Sequence, residues 1–134
     1  MSTSVSYSIR GAVSPDELGP LLRITNMGDY STDKLQHLLS DSTTYVIARS
    51  AEILVGFGRM FTDHATIAYI NNVAVHPDYQ RQGIGTRLLR SLVAEARGVN
   101  SIFLYTSTAD SLYRRLGFER FDRRLYILRL ARDE

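Results

Sequence analysis

The chain has 134 residues, 44% of them apolar and 22% charged. That balance supports one compact core and excludes a disordered or fibrous protein. Sixteen Lys plus Arg against fourteen Asp plus Glu leave a net charge of +2, too small an excess to imply nucleic-acid binding. The chain has no cysteine, which excludes disulfides, thiolate metal sites and a cysteine nucleophile.

Residues 1–8 are polar, with neither a basic start nor an apolar run, so no signal peptide is expected. No stretch approaches the ~20 apolar residues that a membrane-spanning helix needs. A cytoplasmic protein without a membrane partner is the expectation. Lys34 is the only lysine. The arginine bias suits bidentate pairing to phosphate or carboxylate, and equally suits a surface preference unrelated to function.

Tyr7 to Arg10 alternates weakly and reads as a first strand. Ser14-Pro15-Asp16-Glu17 reads as a helix start, with Ser at the N-cap, Pro at the first helical position and acids in the first turn. Leu18, Leu21 and Leu22 give that helix an apolar stripe. After Gly28 a second short helix is predicted from Thr32 or Asp33 through Leu39. Three strands on short turns follow, Thr43–Arg49, Ile53–Thr62 and Ala65–Val75, which implies an antiparallel meander. Gly56 and Gly58 remove two side chains from one face, a sign of a bulge or close packing.

The period then changes. From Ile84 to Ala96 the apolar residues fall at 84, 88, 89, 92, 93 and 96, a helical face that Gly98 closes. Ser101–Tyr105 reads as a strand, Ala109–Leu116 as a short helix stopped by Gly117, and Phe118–Phe121 and Leu125–Leu130 as two final strands. The sum is one mixed α/β domain, residues 1–134, of about seven strands and four helices.

Between the third strand of the meander and the long helix lies Gln80-Arg81-Gln82-Gly83-Ile84-Gly85. A strand, a glycine-containing loop and a helix N-terminus make a physical anion site, because the first helical N–H groups lack partners and the macrodipole adds positive charge. On those grounds alone the loop is also compatible with simple turn chemistry. A dinucleotide fingerprint would place a third Gly at position 88, where Leu88 stands, and the Gly-Lys-Ser/Thr of a Walker loop is absent.

The whole string from Val73 to Gly85, VAVHPDYQRQGIG, closely resembles the signature of the GNAT superfamily of acetyl-CoA-dependent N-acetyltransferases. That signature is an apolar strand, a Pro-containing turn, Gln or Arg, two residues of any kind, Gly, any residue, then Gly or Ala. Gln80, Gly83 and Gly85 stand at the defining positions. Leu112 to Phe118 (LYRRLGF) resembles the family's second motif, a helix Tyr followed by Gly-Phe. The resemblance covers about Thr43 to Leu130.

It implies a GNAT-like acyl-CoA N-acyltransferase fold, acetyl-CoA as cosubstrate and no metal. The backbone of Val73, Ala74 and Val75 would hold the pantetheine arm. Gln80 and the amides of Arg81, Gln82, Gly83, Ile84, Gly85 and Thr86 would hold the pyrophosphate. The implied reaction is direct attack of a neutral amine on the thioester, with Tyr113 as the acid for the departing sulfur. Many relatives carry Asp or Glu near Asn71 or Asn72, and here both are amides. Ordered water at Asn71, Asn72, Tyr69 or backbone carbonyls, or an amine arriving neutral, are the alternatives. The Asn pair equally suits a structural role at a strand bulge, and His64 and His76 read as solvated loop residues.

The implied acceptor is a primary amine, a small amine being favoured, with polyamines, aminoglycosides and protein amino groups left open. The Gly56-Phe57-Gly58-Arg59 stretch is similar to small members that acetylate arylalkylamines. Asp29 and Asp33 read as helix-terminus and loop charge beside Asn26, Met27 and Tyr30. Two other classes stay open, a non-catalytic acetyl-CoA-binding regulatory module and a self-association scaffold. The last strand is apolar enough to join a homodimer.

Overall fold

The computed structural model describes residues 4–106 and 109–130; the first three residues of the polar start lie outside them. In chain order the elements are β1 (Val5–Ile9), α1 (Pro15–Ile24), α2 (Thr32–Asp41), β2 (Thr44–Ser50), β3 (Ile53–Thr62) and β4 (Ile67–Val75). A 3-10 turn (Pro77–Tyr79), α3 (Ile84–Glu95), β5 (Ser101–Phe103) and α4 (Asp110–Arg115) follow. The strands form one sheet in sequence order. β1 to β4 are antiparallel, and β5 joins β4 in parallel after the α3 crossover.

Helices cover both faces of the sheet. On one, Ile84, Leu88, Leu89 and Leu92 of α3 pack with Val46, Ala48, Val55, Met60 and Ile70. On the other, Leu18, Leu21 and Leu22 of α1 and Leu35 and Leu38 of α2 pack with Tyr45, Ile47, Phe57 and Ala74. Residues 44–48 are therefore buried on both faces, as their unbroken apolar and β-branched run predicts.

Gly56 and Gly58 are close-packing sites. A Cβ on Gly56 would lie 3.1 Å from Ala48, Ile84 and Leu88, and one on Gly58 would lie 3.1 Å from Leu92. Two bulges bend the central strands, one where β3 pairs β2 and one where β3 pairs β4. In the second, Asn72 and Val73 together face Gly58, and Asn72 takes a left-handed φ of 54°.

Ser14 caps α1 as its sequence predicts, and Glu17 completes a capping box. The same Glu17 carboxylate accepts from Arg49 of β2 at 2.7 and 3.0 Å. Arg49 also donates to the carbonyls of Ala12 and Glu52, so one ion pair ties the start of α1 to the end of β2.

The expected strands at Phe118–Phe121 and Leu125–Leu130 do not form, which leaves five strands in the described residues where about seven were expected. Residues 118–130 make no regular pairing, and residues 119–130 are exposed. Apolar and aromatic residues give a segment strand character, but a strand exists only where another edge pairs with it. The expected strand Ser101–Tyr105 stops at Phe103. No helix among the described residues is long and apolar enough to cross a membrane.

Gly56→Val should destabilise the protein by about 1–3 kcal/mol in urea denaturation, the usual cost of forcing methyl groups into a packed core. Arg49 holds the Glu17 carboxyl at about 2 against its ordinary 4.5, chiefly through their hydrogen bond. A folded-state value below the unfolded one contributes stability above the unfolded pKa that is lost as pH falls. Stability should therefore decline between pH 4.5 and about 2. Glu17→Gln should flatten that decline and lower stability near neutrality by about 1 kcal/mol, read from denaturant midpoints across pH.

Candidate active site

β4 pairs β5 only at Ile67, Ala68 and Tyr69. From Ile70 to Val75 its edge on that side has no strand partner among the described residues. An unpaired edge of this kind offers alternating amides and carbonyls to an extended, amide-bearing ligand. Val73, Ala74 and Val75 lie on it, with Ala74 buried and the two valines packed against the α3-side core.

The chain leaves β4 through a self-bonded turn. His76 Nδ1 accepts from the Asp78 amide at 3.1 Å, and its ring meets Tyr79 edge-on at 5.7 Å. Gln80 Nε2 donates to the Val75 carbonyl at 3.0 Å, so this side chain ties the loop back to the strand. Arg81 (φ 64°) and Gly83 (φ 83°) are both left-handed, and backbone of this kind gathers successive N–H groups on one side.

Gly83 is the N-cap of α3, with no side-chain cap and no acid in the first turn. The first helical bond runs from the Arg87 amide to the Gly83 carbonyl at 3.1 Å. Among the described residues no backbone acceptor serves the amides of Ile84, Gly85 and Thr86. These amides and the helix dipole suit an anion.

The two glycines do different work. A Cβ on Gly83 would meet nothing within 4 Å, so its positive φ is what requires glycine. A Cβ on Gly85 would instead touch Leu112 at 3.5 Å and Val75 at 3.8 Å. Gly85 thus faces the packing of α4 and β4.

That packing brings the second motif to the first. Leu112, Tyr113 and Leu116 of α4 and its C-cap pack against the α3-side core. The end of α4 is a Schellman cap: the Phe118 amide donates to the Tyr113 carbonyl at 3.0 Å, and the Gly117 amide to Arg114 at 3.1 Å. Gly117 has φ 92°, and the Phe118 ring meets Tyr113 edge-on at 5.8 Å. The cap thus seats the Phe118 ring against Tyr113. Burial pushes the Tyr113 phenol above its ordinary value, which keeps it protonated near neutrality.

The Asn pair is built into the bulge. Asn71 Oδ1 accepts from the Asn72 amide at 2.9 Å, and Asn72 Oδ1 accepts from Arg59 Nε at 2.7 Å. His64 is exposed at a turn, with φ 59° and its amide donating to Thr62 Oγ1. Asp29 pairs with Arg23 at 3.5 Å, and both side chains are exposed. Beside the bulge stands an aromatic row that the sequence did not gather: Tyr69 lies 5.2 Å from Phe103 and 6.0 Å, stacked, from Tyr105. Burial, then a hydrogen bond with Tyr105, pushes the Tyr69 phenol up.

Comparison with known proteins places this arrangement. Residues 40–120 match the model of the acetyltransferase (GNAT) domain. The chain belongs to the GNAT acetyltransferase family. It is 38% identical over 92 residues to the N-alpha-acetyltransferase RimI of Mycobacterium tuberculosis, a match covering 63% of this chain and 58% of that protein. The chain thus spans less than two thirds of that relative's length. A probable acetyltransferase of Staphylococcus aureus, SA2161, shares the fold with a TM-score of 0.83 at 21% identity, covering 94% of this chain and 100% of that one. The fold of AAC(6')-Iy, solved with a CoA-containing bisubstrate analogue, aligns with a TM-score of 0.74 at 15% identity over 96% of this chain and 100% of that one. The GNAT fold expected from the sequence is the fold observed.

Gly83→Ala should cost about 1 kcal/mol of stability, the penalty of a left-handed residue with a Cβ. Gly85→Ala should be neutral or slightly stabilising, since its Cβ lands at ordinary contact distance and alanine favours the helix. Urea denaturation of the two variants checks the contrast.

Proposed function

We propose that this protein transfers an acetyl group from acetyl-CoA to a primary amine by direct attack. The observation that carries the reading is a continuous site: an unpaired edge at residues 70–75 of β4 runs into the uncapped amides of α3, and Gly85 links those amides to the helix bearing Tyr113. The M. tuberculosis relative, by its name an N-alpha-acetyltransferase, supports an amine acceptor.

Bound acetyl-CoA supplies a thioester carbonyl open to attack by a neutral amine. In this reading the backbone of Val73, Ala74 and Val75 pairs with the pantetheine arm as an added strand would. The amides of Arg81, Gln82, Gly83, Ile84, Gly85 and Thr86 hold the pyrophosphate. Gln80 acts indirectly, by fixing the loop to the Val75 carbonyl.

Tyr113 holds its proton until the sulfur departs and then donates it. A raised pKa serves that role, because the acid must arrive protonated. Asn71 and Asn72 do not act as bases, since neutral amides bind no proton usefully near pH 7. Both oxygens already hold the bulge. The amine arrives neutral or loses its proton to water.

Tyr113→Phe should lower kcat by about 10²-fold, within what a general acid supplies, while acetyl-CoA binding by calorimetry persists. Undiminished turnover at saturating acetyl-CoA would remove Tyr113 from the mechanism. Binding of acetyl-CoA with no CoA release on any primary amine would instead favour the regulatory-module reading.

A further inference from the structure

Among the described residues Arg59 has no counter-ion. Its Nε donates to Asn72 Oδ1 at 2.7 Å, and its guanidinium carbon lies 5.1 Å from the centre of the Phe61 ring. Among the described residues it forms no ion pair, and its four Nη hydrogens find no acceptor. Burial depresses its pKa.

Arg49 on the next strand shows what a satisfied arginine looks like here. Its two Nη atoms reach both Glu17 oxygens and two backbone carbonyls. Withdrawing a guanidinium from water costs free energy unless its donors are met, so Arg59 is a half-buried cation with unused capacity.

Its place gives that capacity a use. Arg59 pairs with Asn71 in register, and Phe61 with Tyr69. Tyr69 is the last β4 residue joined to β5. Arg59 therefore stands one strand in from the point where β4 and β5 part, at the head of the unpaired edge. Tyr69, Phe103 and Tyr105 line the same neighbourhood with rings, and Phe103 and Tyr105 are exposed. Asn72, locked in the bulge, fixes the guanidinium through Nε and leaves the Nη fork for a planar oxyanion.

We infer that the acceptor is a small amine carrying a carboxylate, bound by the Nη fork of Arg59, with the aromatic row of Tyr69 and Tyr105 against its carbon skeleton. This rests on the acetyltransferase reading and adds the acceptor's chemical class. Arg59 is then a specificity residue, and a neutral or purely cationic amine leaves its fork unmet.

The test uses the full chain and calorimetry. The probes are CoA and conjugates in which the CoA sulfur is joined through an acetyl group to the nitrogen of glycine, β-alanine or 4-aminobutyrate. Each acid conjugate is compared with its carboxamide. In the wild type at least one acid conjugate should bind about 10-fold or more tightly than its amide, the worth of a charge-assisted bidentate pair. Arg59→Gln should bring acid and amide to about the same affinity, and Arg59→Lys should keep only part of the preference.

CoA binding with equal affinity for acid and amide in every pair overturns the inference and leaves the acetyltransferase reading standing. So does an acid preference that survives in Arg59→Gln. Absence of CoA binding to the wild type overturns both. The wild-type comparison decides even if a variant fails to fold.

Discussion

The site depends on how closely α3 approaches the sheet. Gly56 and Gly58 take two side chains away from β3, and Ile84, Leu88 and Leu92 occupy the space. A Cβ at either glycine would meet its neighbours at 3.1 Å, so any larger residue must lift the helix or displace its contacts. This seating places the first turn of α3 just beyond the end of β4. The uncapped amides of Ile84, Gly85 and Thr86 therefore follow the unpaired strand edge across one short loop.

Several residues of the two family motifs have a local physical reason. Gln80 ties the loop to Val75. Gly83 supplies a left-handed backbone in open space, and Leu112 rests over Gly85 in the first turn of α3. Gly117 and Phe118 close α4 with a Schellman cap whose apolar contact falls on Tyr113. The motif that carries a tyrosine thus also carries the means of holding it. Packing of Leu112 against Gly85 couples the two motifs, which lie 28 residues apart (Gly85 to Tyr113) in the chain.

The bulge at Asn72 shapes the other side. An extra residue in β4 opposite Gly58 turns the Asn72 side chain toward Arg59 and consumes both Asn oxygens in structure. Asn72 here supports a cation. The same device holds a guanidinium near the aromatic row.

What the sequence determined by itself is what is local. The capping box at Ser14 and Glu17, the span of β3, the face of α3 and the strand–loop–helix order at residues 73–85 follow from turn chemistry and periodicity, which act over a few residues. The motifs at Gln80–Gly85 and Leu112–Phe118 were legible through their resemblance to the family's signature. Tertiary structure alone decided which edges pair and which side chains meet across strands. Leu125–Leu130 is apolar enough for a strand yet lies exposed, because pairing needs a partner that local composition does not name. Arg59, Asn72 and Tyr69 meet only because a one-residue bulge resets the register between β3 and β4. Arg59 and Asn72 lie 13 residues apart in the chain, and nothing local to either marks them as neighbours.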